Sequence, residues 1–166
     1  MQGVWFRHNT QLQSLEHGQS RSLIHSLGAQ DALEMAQVLD LEEAAFLIAN
    51  HHIIDVEESL DLLRLSRPLE LEVHIMVPLD PSAIQLAARI GCASLGIQVS
   101  LPPHEDGIQR PGLLKHLLKP LTMPVWGFGG LQASHLNGLR DIGFSGCVLD
   151  FEVAHLVDDA HLLTWP

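Results

Sequence analysis

Two stretches near the C-terminal end decide the fold class: MPVWGFGGL at residues 123–131 and GFSGCVL at residues 143–149. Each combines a short apolar run with glycines, and the residues between them have a helical period. A buried strand, a helix and a second buried strand in this order are typical of parallel βα units. Gly127, Gly129 and Gly130 leave room for a tight backbone turn where the first of these strands ends.

The alternation of short apolar runs with longer helical segments continues toward the N-terminus. It predicts about seven strands, at Gly3–Arg7, Ser22–His25, Ala44–Ala49, Leu71–Val77, Ala93–Val99, Pro124–Phe128 and Gly146–Asp150. Residues 9–21 are polar and indicate a short helix or a loop. We therefore expect a TIM-barrel-like α/β fold of repeated βα units, one strand short of closure and so an incomplete barrel.

Helix start and stop signals fall between these strands. Asp80, followed by a proline, is expected to begin a helix that Gly91 ends. Pro111 is expected to begin a second helix, and Ser134 to cap a third that ends near Gly143.

Composition excludes several classes of protein. At 166 residues the chain is long enough for one well-filled core, so we expect a single domain over residues 1–166. The net charge of −11 and the scattered basic residues argue against nucleic acid as a partner. The sequence contains neither a signal peptide nor an apolar run of membrane-spanning length, so we expect a cytoplasmic protein without a membrane partner. Cys92 and Cys147 are expected to be buried free thiols.

The sequence contains 11 histidines, which raises the question of a metal site. His51 and His52 are adjacent, and neighbouring side chains of an extended segment point apart, so the two would not bind one metal ion together. We expect neither a metal nor another cofactor.

The two C-terminal stretches resemble the end of a thiamine phosphate synthase or TenI barrel, where a PVxAxGGI strand is followed by a helix and a GAxGVAV strand. Residues 73–74 resemble that family's SVHS strand, and residues 44–59 its GADGVHLGQEDLPVEEA segment. Residues 23–25 fall where its LIND strand belongs, and residues 4–7 where its VQLREK strand belongs. The resemblance spans nearly the whole chain and implies that it begins at the family's second strand.

That family joins a pyrimidine methyl diphosphate to a thiazole phosphate, which implies cations and Mg²⁺ around the diphosphate. Only Arg7 matches the charged residues of QLREK, and Ser26 and Ile53 stand at the positions of the metal-binding aspartates. Glu105 and Asp106 lie in the segment that corresponds to the diphosphate-binding loop. These carboxylates would repel a diphosphate, so we expect no ordinary synthase activity.

The resemblance and the residue types together nominate a site at the carboxyl ends of the strands. The candidate ligand-binding residues are Arg7, Gly127, Gly129 and Gly130, and the candidate catalytic residues are His74, His51 and His25. Backbone N–H groups of the glycine turn would face a small phosphorylated ligand; the alternative is a βα turn without a ligand. His74, expected in the middle or later part of its strand, has the alternative of a hydrogen-bonded core histidine.

Three functions remain open. The first is a divergent, non-synthase member of the family that binds a small molecule or serves as an assembly domain linked to thiamine metabolism. The second is an active TenI-like thiazole phosphate tautomerase, in which His74 or His51 moves a proton. Gln98 stands near the position where the resemblance to TenI implies a histidine. The third is a metal-dependent sugar-phosphate epimerase, because LEVHIMV at residues 71–77 resembles the LDVHLMV strand of ribulose-phosphate 3-epimerase. Phe128 occupies the position of an aspartate which that enzyme requires.

An incomplete barrel implies an exposed strand edge between the strand at Gly3 and the strand that ends at Asp150. The C-terminal segment, residues 154–166, carries several large apolar side chains. We expect it to pack against that edge or against a second copy, giving a homodimer or a complex with another protein.

Overall fold

The computed structural model describes residues 3–8, 11–14, 20–25, 46–49, 64, 73–99, 108–131, 133–150 and 165. In this part of the chain no helix is long and apolar enough to cross a membrane.

Eight strands of the described residues form one sheet. They are β1 (Gly3–His8), β2 (Gln11–Ser14), β3 (Ser20–His25), β4 (Phe46–Ala49), β5 (Val73–Val77), β6 (Ser94–Gln98), β7 (Val125–Phe128) and β8 (Gly146–Asp150). Each strand pairs with the next in sequence, and β8 pairs with β1, so that the sheet closes into a barrel. All neighbouring pairs are parallel except those that β2 makes with β1 and β3. The expected α/β class and TIM-barrel-like repeat are confirmed.

The structure differs from the expected incomplete barrel at β2. Strands β1 and β8 pair directly, from Gly3 opposite Gly146 to Arg7 opposite Asp150, so no gap lies between them. The additional strand is β2, in the polar segment that indicated a helix or loop, and it is antiparallel to both neighbours. Its ladder hydrogen bonds with two strands outweigh its weak intrinsic preference for extended structure.

Three described helices connect consecutive strands: α1 (Pro81–Ile90), α2 (Pro111–Leu118) and α3 (Leu136–Ile142). The Asp80 carboxylate accepts a hydrogen bond of 3.1 Å from the Ser82 N–H, and Gly91 ends α1 in the left-handed conformation. Pro111 begins α2 as expected. A 3₁₀ turn at Ala133–His135 precedes α3, so Ser134 lies in that turn and does not cap the helix.

The core has two layers, as alternation along the strands requires. Ile75, Leu95 and Val125 face outward and are buried with Leu114 and Leu139 of the helices. The intervening positions face the barrel interior, where a second cluster consists of Trp5, Met76, Trp126, Phe128 and Val148. On the side of β1, β5, β7 and β8, large side chains thus fill the described part of the barrel interior.

Trp165 is the one described residue of the C-terminal segment. It packs against the outer core, and the Arg140 guanidinium of α3 lies 5.3 Å from the centroid of its indole ring. The segment therefore contacts the helical layer at this point, and the strand edge it was expected to cover is occupied by β8 paired with β1.

Candidate functional site

The glycine turn, Gly129–Gly130, follows directly on the last residue of β7. Gly129 has φ 91° and Gly130 has φ 59°, so both adopt conformations that residues with a Cβ rarely adopt. Gly130 is exposed, and a Cβ built on it would meet no atom within 4 Å. The turn lies at the carboxyl end of the barrel strands, the end at which TIM-barrel active sites are found. The predicted tight turn is confirmed.

Among the described residues, Gln98 is the side chain that lies beside Gly129 of this turn. It ends β6, and its Cα pairs in register with Phe128 of β7. A Cβ built on Gly129 would lie 3.3 Å from the Gln98 Cγ and 3.8 Å from its Nε2. Alternation from Ser94 and Gly96 places Gln98 on the interior face of β6, half-buried at the mouth of the barrel. The amide of Gln98 therefore borders the glycine turn on the side of the barrel axis.

Gly127, predicted with the turn glycines as a ligand contact, has a different environment. A Cβ on Gly127 would approach the Leu139 side chain to 3.3 Å and the Val99 side chain to 3.4 Å. These side chains belong to the layer between sheet and helices. In this structure Gly127 allows α3 to pack closely on β7.

Two other predicted residues, Arg7 and His25, fall at or near the carboxyl ends of their strands. Arg7 of β1 pairs in register with Asp150 of β8. Because β8 lies between β1 and β7, the backbones of β1 and β7 are about 10 Å apart. His25 ends β3, which is four strands from β7 in either direction around the barrel, so it lies across the mouth from the glycine turn. His51 lies outside the described residues, as do Ser26, Ile53, Glu105 and Asp106.

His74 does not lie beside the glycine turn. It is the second residue of β5 and therefore stands in the amino-terminal half of the strand, not in the expected middle or later part. Its side chain is buried, and its Nδ1 is 2.6 Å from the Ser94 hydroxyl oxygen. The Trp126 indole N–H donates to the same oxygen over 3.0 Å. His74 thus belongs to a buried polar network below the mouth, and a catalytic role for it stays a prediction.

The space above this network is taken by Trp126 itself. A Cβ built on Gly96 would lie 2.6 Å from two atoms of the Trp126 indole, so the ring lies directly across the Gly96 backbone. Phe128 packs on Trp126 with ring centroids 5.7 Å apart. Since aromatic rings fill the interior below Gln98, a ligand at the carboxyl end would occupy a shallow site at the mouth.

Gln98, Gly96 and Trp126 shape this mouth, and reasoning from charged and nucleophilic residue types did not point to Gly96 or Trp126. The sequence did contain a signal for this packing. Gly96 in SLGIQ and Trp126 in VWGF lie on neighbouring strands, and both occupy inward-facing positions. A large residue opposite a small one is the usual way in which barrel interiors are filled.

Thiol and metal chemistry receive little support from the described residues. Both Cys92 and Cys147 are buried. Burial raises the pKa of the Cys92 thiol to about 11, which leaves it unreactive at neutral pH. No group of three potential metal-binding side chains occurs among the residues that the structure describes.

Comparison with known proteins leads to fold relatives only. No family model and no curated protein matches the chain. The Amycolatopsis orientalis BexX/CysO complex contains a chain with a TM-score of 0.61 and 17% identity; the match covers 98% of this chain and 74% of that one. A mutant tryptophan synthase α-subunit from the hyperthermophile Pyrococcus furiosus has a TM-score of 0.62 and 13% identity, with 89% and 62% covered. This chain has a TIM-barrel-like fold.

A thiamine phosphate pyrophosphorylase from Pyrococcus furiosus is also similar, with a TM-score of 0.47, 14% identity and coverage of 78% and 71%. The two likenesses with TM-scores above 0.6 establish the fold, and at these identities they leave the function to be argued from the site.

Proposed function

We propose that this protein is a divergent barrel of the thiamine phosphate synthase and TenI type that binds a small phosphorylated molecule at its mouth. The observation that carries the proposal is the pair of left-handed glycines, Gly129 and Gly130, at the carboxyl end of β7. Successive N–H groups in such a turn form a concavity suited to an anion. Loops after the seventh and eighth strands are also a frequent phosphate site in TIM barrels.

The same proposal excludes diphosphate-dependent synthase chemistry. Ser26 and Ile53 cannot replace aspartates as Mg²⁺ ligands, because neither side chain carries a charge. Glu105 and Asp106 add negative charge to the segment that would have to hold a diphosphate. We expect no thiamine phosphate from the two family substrates, and turnover above about 0.01 per second, low for an enzyme, would contradict this part of the proposal.

Two enzymatic alternatives depend on histidines. A tautomerase needs an acid–base group within reach of its ligand, and His74 is engaged with Ser94 in the amino-terminal half of β5. His25 and His51 are therefore the better candidates for that reaction. The epimerase alternative needs His74 as one of several metal ligands, and the described residues contain no group of three potential metal-binding side chains to support it.

The test of phosphate binding compares two substitutions of equal charge. Gly130→Asp places a carboxylate at the glycine turn, and Gly91→Asp places one at the opposite end of the barrel, before β6. Both glycines are exposed with positive φ, and a Cβ meets nothing within 4 Å at either site. Their costs in backbone strain should match, at about 1 kcal/mol each.

Isothermal titration with thiazole phosphate and with inorganic phosphate gives the readout. Gly130→Asp should weaken binding about tenfold or more through charge repulsion, while Gly91→Asp should bind as the wild type does. If the wild type binds neither compound at millimolar concentration, the proposed function is wrong. Equal weakening by both substitutions would place the ligand elsewhere.

Assembly with another protein is the second candidate function. The Amycolatopsis orientalis relative was solved in a complex with a protein partner, and the partly buried Trp165 shows that the C-terminal segment contacts the helical layer. Light scattering on the purified protein, with and without residues 154–166, tests this candidate. A monomer in both cases would remove the support that the segment gives to it.

A further inference from the structure

The side chain of Gln98 is the chemical feature that distinguishes this glycine turn from an ordinary βα turn. Within the part of the chain that the structure describes, its atoms are the ones that a Cβ on Gly129 would meet within 4 Å. None is found near a Cβ on Gly130, which leaves that side of the turn open. Among the described residues, Gln98 is therefore the side chain that borders the Gly129 side of the turn, with its amide nitrogen 3.8 Å from the position of a Gly129 Cβ.

An amide offers two N–H donors and one carbonyl acceptor, and it carries no charge. A phosphomonoester needs donors for its oxygens, and N–H groups of a glycine turn plus one amide can supply them without a cation. A diphosphate concentrates more charge and is usually held by lysine, arginine or Mg²⁺. Among the described residues, the side chain found beside this turn is the neutral Gln98, which fits the smaller anion.

We infer that Gln98 is a ligand-binding residue that donates to the anion held at Gly129–Gly130, and that it selects phosphomonoesters over diphosphates. This inference rests on the proposed function and adds to it a residue and a ligand class. Phe128, paired in register with Gln98, is buried in the interior cluster and so occupies the space below the proposed ligand.

The test uses Gln98→Ala, Gln98→Lys and matched controls at Gln85, an exposed glutamine of α1. The probes are inorganic phosphate, inorganic pyrophosphate and thiazole phosphate, titrated at one ionic strength. Gln98→Ala should weaken phosphate and thiazole phosphate roughly tenfold, as the loss of one hydrogen bond to a charged group does. Gln98→Lys should raise the affinity for pyrophosphate relative to phosphate about tenfold or more, because it adds a cation at the turn.

The controls Gln85→Ala and Gln85→Lys should bind all three probes as the wild type does. Thermal melts confirm that each variant is folded, and Gln98→Glu, which keeps the side-chain shape, should also lose phosphate binding. Suppose that the wild type binds phosphate and that Gln98→Ala and Gln98→Lys bind every probe as tightly as the wild type does. The inferred role of Gln98 is then wrong, while the proposed function stands. If the wild type prefers pyrophosphate, the inferred ligand class is wrong. If the wild type binds no probe, both fail.

Discussion

A methyl group at Gly96 would test how the barrel interior is packed. The Cβ of Gly96→Ala would lie 2.6 Å from two atoms of the Trp126 indole and 2.9 Å from a third. Trp126 is fully buried, packed against Phe128, and held by the hydrogen bond from its Nε1 to the Ser94 hydroxyl. The ring cannot move away from the new methyl group without disturbing one of these contacts.

Two destabilising effects and one stabilising effect determine the change in the free energy of unfolding. Overpacking a filled core costs about 1 to 3 kcal/mol. Weakening the buried Trp126–Ser94 hydrogen bond costs about another 1 to 3 kcal/mol. Removing a glycine from a strand stabilises by about 0.5 to 1 kcal/mol through the unfolded chain. We expect Gly96→Ala to lower the free energy of unfolding by about 2 to 4 kcal/mol.

Urea denaturation followed by tryptophan fluorescence measures this change. Gly112→Ala is the control. Gly112 is an exposed residue of α2, and a Cβ built on it would meet no atom within 4 Å. This substitution should leave the free energy of unfolding unchanged or raise it. Adding Trp126→Phe to Gly96→Ala removes the clashing part of the ring, so the double variant should lose less than the sum of the two single changes. A Gly96→Ala protein as stable as the wild type would refute the packing described here.

Three further predictions concern the buried network, the C-terminal contact and pH. Ser94→Ala should destabilise by about 2 kcal/mol or more in urea denaturation, because it removes an acceptor that Trp126 uses in the core; an unchanged midpoint would contradict it. Trp165→Ala should lower stability by about 1 to 2 kcal/mol through lost packing and the lost cation–π contact with Arg140, which a thermal melt can detect. Because the pKa of Cys92 is raised to about 11 in the fold, its contribution to stability is complete below about pH 9 and disappears as the pH rises toward 11. The chain contains no tyrosine to titrate in that range, so Cys92→Ala should flatten the loss of stability there, and an unchanged slope would argue against burial of the thiol.

The parallel strands could be predicted from the sequence because burial on both faces leaves short continuous apolar runs, as in IMV of β5 and CVL of β8. Strand β2 could not, because QLQS is polar and its extended conformation depends on hydrogen bonds to β1 and β3. Helix boundaries were predictable where a proline and a capping aspartate coincided, as at α1.

The candidate site was predictable only in its backbone. The glycine turn follows from residue type, since consecutive glycines after a strand predict positive φ. The position of His74 does not follow from residue type, because a shift of two residues along a strand moves a side chain from the mouth into the core. The family resemblance placed Gln98 near the position of a TenI-like histidine, but its place beside Gly129 depends on the pairing of β6 with β7 and had no signal in the sequence.

The central claim is that an anion binds at the glycine turn, and an NMR titration of protein labelled with ¹⁵N-glycine tests it most directly. The chain has 13 glycines, few enough for their amide signals to be resolved and assigned by substitution. Titration with inorganic phosphate and then thiazole phosphate should shift the amides of Gly129 and Gly130 in a saturable way. The amides of Gly91 and Gly143, which precede β6 and β8 at the opposite end of the barrel, should not move. Unshifted signals from Gly129 and Gly130 at saturating ligand, or equal shifts at Gly91 and Gly143, would contradict the account.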